Sequence, residues 1–280
     1  MEIDWSKYDI VHVGISGGKD SQAVYTWLVQ DSGCLVDKIR ASFCDTRNEH
    51  EWTYEHIEYM RQAIGPIETI AAELGFYELA EKERRFPSAK ARFCTEYLKM
   101  QVSQKHIKQW MMDGKNILLI TGVRRGESKA RSELPEFDFD TYYACDVYRP
   151  IIDWTTEQVF AYLKSKGQHA NPLYSVGAKR VGCFPCIMSN KRELRTISDK
   201  FPERIEMIAS WEEKLGVSFY SSKYVPERWR LTPFQRNGVT YMCPSIRDIA
   251  KWSHTSRGGK HFDFDFDEPP TCANNSGACE

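Results

Sequence analysis

The chain lacks a long hydrophobic run and an excess of charge of either sign. No apolar stretch approaches the roughly 20 residues that a membrane span needs, and the polar start Met1–Trp5 does not resemble a signal peptide. We therefore predict a cytoplasmic protein with no membrane partner. The 38 lysine and arginine residues balance 39 aspartate and glutamate residues. This balance argues against a general electrostatic affinity for nucleic acid and leaves only a local basic patch open.

Two common nucleotide-binding fingerprints are also absent. The chain has no Gly-x-Gly-x-x-Gly dinucleotide motif. The general phosphate loop, Gly-x-x-x-x-Gly-Lys followed by Ser or Thr, does not fit either, because Asp20 stands where the magnesium-binding hydroxyl should be. Neither the usual dinucleotide fold nor the usual triphosphatase loop is therefore predicted.

The chain does contain a glycine-rich turn, Ser16–Ser21, between a strand pattern that ends at Ile15 and a helical pattern that follows. Gly17 and Gly18 have no Cβ to keep a phosphate away from the backbone, and the helix start favours an anion. Lys19 adds a mobile charge, and the two serines add hydroxyl donors. The turn therefore predicts a phosphate site, although a glycine-rich turn can also be purely structural.

Polar residues follow two further strand patterns. Ligands of doubly wound sheets bind beyond the carboxyl ends of the strands, so these residues are expected near the same nucleotide. The residues are Asp45 and Thr46 after one strand, and Gly122, Arg124, Glu127 and Arg131 after another. We interpret the arginines as a phosphate or sulfate clamp, with Glu127 orienting Arg124 or a hydroxyl. Alternatively, Asp45 caps a helix and the arginines form surface salt bridges.

The chain has nine cysteines, an odd number that favours thiols or metal ligands over disulfides in a reducing compartment. Cys183 and Cys186 have a spacing that lets two thiolates reach one metal. A redox disulfide or two packed thiols would also fit this spacing. The candidates to complete a four-ligand site are Cys94, Cys243, Cys272 and Cys279.

Strand and helix patterns alternate through most of the chain, which predicts an α/β fold with a doubly wound parallel sheet. We divide the chain into a nucleotide-binding domain, residues 1–190, and a smaller, mostly helical and irregular region, residues 191–280. In the second region, Pro202–Leu215 predicts an amphipathic helix. Arg228–Arg230 mixes basic and aromatic residues that could contact nucleic acid or be ordinary surface. Phe262–Glu268 alternates like a strand with an acidic face.

Together these motifs resemble the phosphoadenosine-phosphosulfate reductase-like branch of the PP-loop superfamily. The resemblance covers roughly residues 10–195 and rests on the following motifs in order: Ser16–Ser21, Asp45–Glu49, Arg92–Lys99, Gly122–Arg131, Arg149–Trp154 and Asn171–Cys186. It implies a five-stranded parallel sheet with the nucleotide at its carboxyl edge.

The resemblance also implies roles for individual residues. Ser16–Ser21 would hold pyrophosphate, the Asp45 segment would lie near adenosine, and Arg124, Glu127 and Arg131 would face the phosphates or the activated group. It favours a [4Fe-4S] cluster over zinc, with ligands drawn from the cysteines at 94, 183, 186, 272 and 279. Cys94 is favoured by the resemblance and the terminal pair by its own spacing.

Two differences between this sequence and the phosphoadenylyl sulfate reductases of the family favour ATP as the nucleotide. Phosphoadenylyl sulfate reductases usually have a degraded loop and end in a Glu-Cys-Gly-x-His motif, whereas here the loop is intact and Ser276–Glu280 contains no histidine. We therefore predict adenylation of an acceptor by ATP and Mg²⁺, with Lys19, Asp20, Arg124 and Glu127 as catalytic residues.

Several partners and alternatives stay open. The acceptor is sulfate, another small molecule or nucleic acid, the sulfur donor is a protein such as a cysteine desulfurase, and a homo-oligomer is an option. One alternative is a reductase of adenylyl sulfate with Cys279 or Cys94 as nucleophile. Another is a nucleotide-binding module without catalysis.

Overall fold

The computed structural model describes residues 3–236 and 238–256. Strands and helices are interspersed up to the sixth helix, and helices with one small hairpin follow. The strands are β1 Ile10–Ile15, β2 Ile39–Asp45, β3 Ile67–Ala71, β4 Ile117–Ile120, β5 Phe137–Asp140, β6 Cys145–Tyr148, β7 Thr232–Arg236 and β8 Val239–Cys243. The helices are α1 Lys19–Gln30, α2 Glu51–Ala63, α3 Phe76–Lys82, α4 Phe93–Thr95, α5 Gln101–Met112, α6 Thr156–Ser165, α7 Lys191–Lys200, α8 Pro202–Leu215 and α9 Ile246–Ser253. A π-helical turn, Glu96–Met100, joins α4 to α5.

The main sheet has six strands in the order β3-β2-β1-β4-β6-β5. Five of them are parallel, which confirms the predicted α/β fold with its five parallel strands. The strand order reverses direction between β1 and β4, so the loop after β1 lies at the topological switch point where such sheets bind ligands.

The sixth strand, β5, runs antiparallel to β6 at the edge of the sheet. The sequence analysis did not predict it. Its four residues alternate Phe and Asp over too short a stretch to distinguish a strand from a loop. Pairing with β6, to which a short turn connects it, is what makes it a strand.

The C-terminal helices pack on the loops beyond the carboxyl edge of the sheet. Phe184 and Leu98 share one buried hydrophobic cluster with Ile208 of α8 and Trp252 of α9. The predicted helix Pro202–Leu215 is present with the bounds given above. Within residues 3–236 and 238–256, no helix has the length and apolar character to cross a bilayer. The predicted strand at Phe262–Glu268 lies outside the described residues.

Candidate active site at the carboxyl edge of the sheet

The glycine-rich turn joins β1 directly to α1. Gly17 has a φ of +77°, a left-handed conformation that favours glycine. A Cβ built on Gly17 would lie only 2.8 Å from Thr53 Cγ2, so the neighbouring helix leaves no room for a side chain. Gly18 is the N-cap of α1 and has no side-chain cap. The local sequence thus fixes a tight turn whose amides surround the start of a helix.

Hydroxyl groups satisfy several amides of this turn in the ligand-free protein. Gly18 N donates to Ser16 Oγ over 3.2 Å, and Ser16 N donates to Ser21 Oγ over 3.2 Å. Lys19 N donates to the phenol oxygen of Tyr174 over 3.0 Å. A phosphate bound here would replace these neutral acceptors with charged ones, which form stronger hydrogen bonds. Tyr174 belongs to a motif used in the sequence analysis, but its contact with the turn was not predicted.

Lys19, Asp20 and Arg124 form a buried charged triad. Lys19 Nζ donates to Asp20 Oδ2 over 2.5 Å, and Arg124 Nε donates to Asp20 Oδ1 over 2.7 Å. All three residues are buried. The carboxylate therefore lies between the two cations that were predicted to meet phosphate.

Glu127 supports Arg124 mainly through the backbone. Arg124 N donates to Glu127 Oε2 over 2.9 Å, whereas the closest guanidinium contact, Arg124 Nη2 to Glu127 Oε1, is 4.0 Å. Arg131 forms a close ion pair with the same carboxylate. Gly122 is buried just after β4. The segment after β4 thus brings Arg124, Glu127 and Arg131 together. Their predicted role as a phosphate or sulfate clamp stays a prediction.

A cavity of about 350 Å³ opens in front of the turn. Six basic side chains line it: Lys19, Arg92, Arg124, Arg131, Lys179 and Arg180. Three acidic side chains also line it: Asp20, Glu127 and Glu193. The excess of positive charge suits a polyanion such as a nucleotide triphosphate. The sequence analysis did not assign Arg92, Lys179, Arg180 or Glu193 to this site.

Asp45 and Thr46 have structural partners. Asp45 Oδ1 accepts hydrogen bonds from Arg47 N and from the Tyr54 hydroxyl, each over 2.8 Å. Thr46 Oγ1 donates to Glu49 Oε1 over 2.7 Å, and Thr46 lines a different cavity from the one beside the turn. Their predicted role near the nucleotide stays a prediction.

That second cavity, of about 80 Å³, collects three thiols. Cys94 lies in α4, and Cys183 and Cys186 lie in the loop before α7. Burial raises the pKa of Cys94 to about 11 and that of Cys183 to about 12. Without a further positive ligand, these two thiols are therefore protonated at neutral pH.

Lys99 lines the thiol cavity, as Arg92 and Arg180 also do. Burial disfavours its charged form, but Cys183 and Glu49 outweigh this effect and raise the pKa of Lys99. Cys183 Sγ donates to Glu49 Oε1 over 3.9 Å. Thiol, carboxylate and ammonium groups therefore meet at one side of the cavity.

The donor set has the soft thiols that an iron-sulfur cluster requires, together with a cation beside them. However, over residues 3–236 and 238–256 no three Cys, His, Asp or Glu side chains are gathered closely enough to hold a metal ion. Cys272 and Cys279 lie outside the described residues. The residue types fit a thiolate-bound cluster, and the predicted ligand set stays a prediction.

The two cavities meet at a shared wall. Arg92, Arg180, Val181 and Glu193 line both of them. The glycine-rich turn and the thiols thus open onto adjoining spaces at the same edge of the sheet. Such an arrangement suits a group that is activated in one space and reacts in the other.

Comparison with known proteins identifies the family of the chain. Residues 10–189 match the phosphoadenosine phosphosulfate reductase domain. An uncharacterized 37.8 kDa protein of Escherichia phage 186 is 32% identical over 309 residues, and the alignment covers 90% of each chain. The adenosine 5'-phosphosulfate reductase of Neisseria meningitidis serogroup A is 40% identical over 67 residues, which cover 24% of this chain and 28% of that protein.

The fold has a solved counterpart as well. A phosphoadenylyl-sulfate reductase from Candida auris, in a phosphate complex, superimposes with a TM-score of 0.52 and 17% identity, covering 65% of this chain and 85% of that chain. Identity this low supports a shared fold alone. The sheet and its turn define an α/β protein with a doubly wound, mostly parallel sheet. The chain belongs to the phosphoadenosine phosphosulfate reductase domain family, as the resemblance predicted.

Proposed function

We propose that this protein uses ATP and Mg²⁺ to adenylate an acceptor and release pyrophosphate. One observation carries the proposal: the intact Ser16–Ser21 turn faces a basic cavity of about 350 Å³. Backbone amides and Lys19 suit the β and γ phosphates, and Arg124 suits negative charge that develops during transfer. A family member that acts only on adenylyl sulfate has no pyrophosphate to hold.

In the proposed reaction an acceptor oxygen attacks the α phosphorus, and the bond from that phosphorus to the bridging oxygen of pyrophosphate breaks. The incoming phosphates displace the Asp20 carboxylate from Lys19 and Arg124, and the Tyr174 hydroxyl from the Lys19 amide. Asp20 is then free to face the magnesium of the nucleotide. Catalysis consists mainly of positioning and charge stabilisation by groups already in place.

We further propose that Cys94, Cys183 and Cys186 hold an iron-sulfur cluster, with a fourth ligand from Cys272 or Cys279. Such a cluster would supply electrons or sulfur after activation. Lys99 beside the thiols would offset the negative charge of their thiolate forms. The proposal also includes a sulfur-donor protein such as a cysteine desulfurase, a cytoplasmic location and a homo-oligomer.

A second function, reduction of a preformed adenylyl sulfate, is favoured by one specific finding. The segment shared with the Neisseria meningitidis protein comes from an adenosine 5'-phosphosulfate reductase. In that case the thiol of Cys94 or Cys279 would attack the sulfur of the substrate, the bond from that sulfur to the bridging phosphate oxygen would break, and adenosine monophosphate would leave. A second thiol would then release sulfite from the sulfonated cysteine as the two thiols form a disulfide. ATP would then not be consumed.

Pyrophosphate release distinguishes the two functions. The purified protein is incubated with ATP, Mg²⁺ and sulfate, transfer RNA or DNA, and pyrophosphate is measured. We expect release with one acceptor and at least roughly a hundredfold loss of the rate in Lys19→Ala, because a charged partner of the leaving group is removed. Lys166→Ala, which removes a lysine paired with Asp31 at the far end of α1, is the control.

Sulfite formation from adenosine 5'-phosphosulfate, without pyrophosphate release from ATP, would instead support the reductase. If ATP binds without any turnover, and Lys19→Ala only weakens that binding, the protein is a nucleotide-binding module.

A further inference from the structure

A short 3₁₀ helix, Pro172–Val176, takes part in the walls of both cavities. Its Tyr174 lines the cavity in front of the glycine-rich turn, where the phenol oxygen accepts a hydrogen bond from Lys19 N over 3.0 Å. Residues 176–178, which follow directly, line the thiol cavity instead. One continuous segment therefore connects the amide at the start of α1 with the space that holds the thiols.

The Tyr174 hydroxyl occupies the position that a ligand of the turn would need. A Cβ built on Gly18 would lie 3.3 Å from this hydroxyl, so the phenol covers the turn closely. Amides at the start of a helix have no intrahelical acceptor and are ready donors for an anion. A charged phosphate oxygen accepts a stronger hydrogen bond than a neutral phenol. A phosphate group on the turn would therefore compete with Tyr174 for the Lys19 amide.

The segment is held at both ends of this contact. At its start, Asn171 Nδ2 donates to Gly17 O over 3.3 Å, which fastens the segment to the turn itself. At its end, Gly177 is the C-cap residue of the 3₁₀ helix and has a φ of +102°. Tyr174 lies between these two points and is only half-buried. Displacement of its hydroxyl is therefore passed to the residues that follow it, because the start of the segment is fixed.

We propose that Tyr174 is a positioning residue that couples the two cavities. A phosphate group on the glycine-rich turn displaces the Tyr174 hydroxyl from Lys19 N, and residues 174–178 then shift the wall of the thiol cavity. The inference rests on the proposed adenylation, in which pyrophosphate occupies the turn. Coupling between two sites requires an element with two arrangements that both sites bias. Here the two arrangements are the hydroxyl on the Lys19 amide and the hydroxyl displaced from it, so the thiol cavity responds to the state of the turn.

Binding of inorganic pyrophosphate to the full-length protein separates this role from a structural one. Calorimetry compares wild type with Tyr174→Phe, which keeps the ring and removes the hydroxyl. Because no phenol oxygen then competes for the Lys19 amide, we expect Tyr174→Phe to bind pyrophosphate roughly three- to tenfold more tightly. Unchanged or weaker binding would overturn the inference, since a hydroxyl that serves the fold or contacts the ligand does not compete with it.

Hydrogen exchange followed by mass spectrometry reports the movement of the segment. Gly177 N donates to Tyr174 O over 3.2 Å and Ala178 N donates to Leu173 O over 3.1 Å, so both amides are protected in the present arrangement. In wild type we expect pyrophosphate to slow exchange at residues 17–19. At Gly177 and Ala178 we expect it to speed exchange by about fivefold or more, the lower end of typical coupling between sites. In Tyr174→Phe these two amides should exchange fast already, and pyrophosphate should add little.

Tyr162→Phe is the matched control. Tyr162 is a half-buried tyrosine of α6, and its hydroxyl donates to Asp31 Oδ2 at the far end of α1. This variant should bind pyrophosphate as the wild type does and show the same exchange response. The melting temperature checks the fold of both variants.

The exchange experiment can also overturn the inference. Pyrophosphate could leave exchange at Gly177 and Ala178 unchanged or slow it in wild type, or it could speed exchange equally in wild type and in Tyr174→Phe. Either result would mean that Tyr174 does not transmit the state of the turn. Failure of the proposed adenylation has a different signature: pyrophosphate binds and produces the exchange response, but no acceptor makes the protein release pyrophosphate from ATP.

Discussion

Arg124 Nε donates to Asp20 Oδ1 over 2.7 Å, although the two residues are 104 positions apart in the chain. The same carboxylate accepts a hydrogen bond from Lys19 Nζ. The glycine-rich turn therefore carries its own anion, which neutralises both cations. In the proposed function the phosphates of a nucleotide would replace it. An internal counter-ion of this kind lowers the cost of burying two positive charges in the free protein.

Replacing Asp20 tests this relationship. In Asp20→Asn, pyrophosphate no longer competes with a carboxylate for Lys19 and Arg124. We expect its affinity in the absence of Mg²⁺ to rise roughly tenfold, and the magnesium-dependent release of pyrophosphate from ATP to fall. Calorimetry and the pyrophosphate assay measure the two effects. Asp31→Asn, at the other end of α1, should change neither quantity, and an unchanged pyrophosphate affinity in Asp20→Asn would refute the counter-ion role.

The steric requirement for glycine at position 17 of the turn can be tested against Gly33, which has a similar backbone conformation but free space around it. Both have left-handed backbones, with φ of +77° and +75°, but only Gly17 has a neighbouring atom in the path of a Cβ. We expect Gly33→Ala to cost about 1 kcal/mol of unfolding free energy and Gly17→Ala about 3 kcal/mol. Urea denaturation measures both. Equal losses of unfolding free energy in the two variants would mean that the Thr53 side chain moves away from the added Cβ at no cost.

From the cysteines that line the thiol cavity we predict that Cys183 is required for iron binding. After anaerobic purification we expect iron and a broad visible absorbance in the wild type and their loss in Cys183→Ser, because Cys183 is a proposed ligand. Cys34→Ser should retain both, since Cys34 is buried elsewhere and its Sγ faces Leu35 O at 3.6 Å. Wild-type protein that contains zinc, or no metal, would contradict the cluster.

The raised pKa of the buried Glu212 carboxyl predicts that the free energy of unfolding depends on pH. Its Oε1 accepts from Phe219 N over 2.7 Å and its Oε2 from Ile246 N over 2.8 Å. Burial raises the pKa of Glu212 from 4.5 to about 7, although these two amides lower it; Asp248 adds to the rise and Arg247 opposes it.

Because the folded pKa lies above the unfolded one, the folded state holds the extra proton between pH 4.5 and pH 7. The contribution of Glu212 is therefore fully present below pH 4.5 and is lost as the pH rises through about 7. Urea denaturation at several pH values should show this slope in wild type and in Glu213→Gln, an exposed neighbour, but not in Glu212→Gln. The same slope in Glu212→Gln would assign the titration to another group.

The sequence analysis recovered the parts of the site that lie within one continuous segment. The strand, turn and helix from Ile10 to Gln30 follow from hydrophobic periodicity and from glycines that only a tight turn requires. Tyr174 and Arg92 could not be assigned in this way. Tyr174 reaches the Lys19 amide across 155 positions of sequence, and a tyrosine in a loop has no periodicity that predicts its partner.

The amino-acid sequence by itself determined the parallel strands, the glycine-rich turn and the Cys183–Cys186 spacing. Each of these features depends on the steric preferences of residues that are close in the sequence, or on the periodicity of their hydrophobic side chains. Only the tertiary structure decided that Asp20 neutralises Arg124, that β5 joins the sheet, and that Arg92 lies in the wall shared by the two cavities. These features depend on how distant segments pack, because a charge or a hydrogen-bond donor acquires or lacks a partner only when those segments meet.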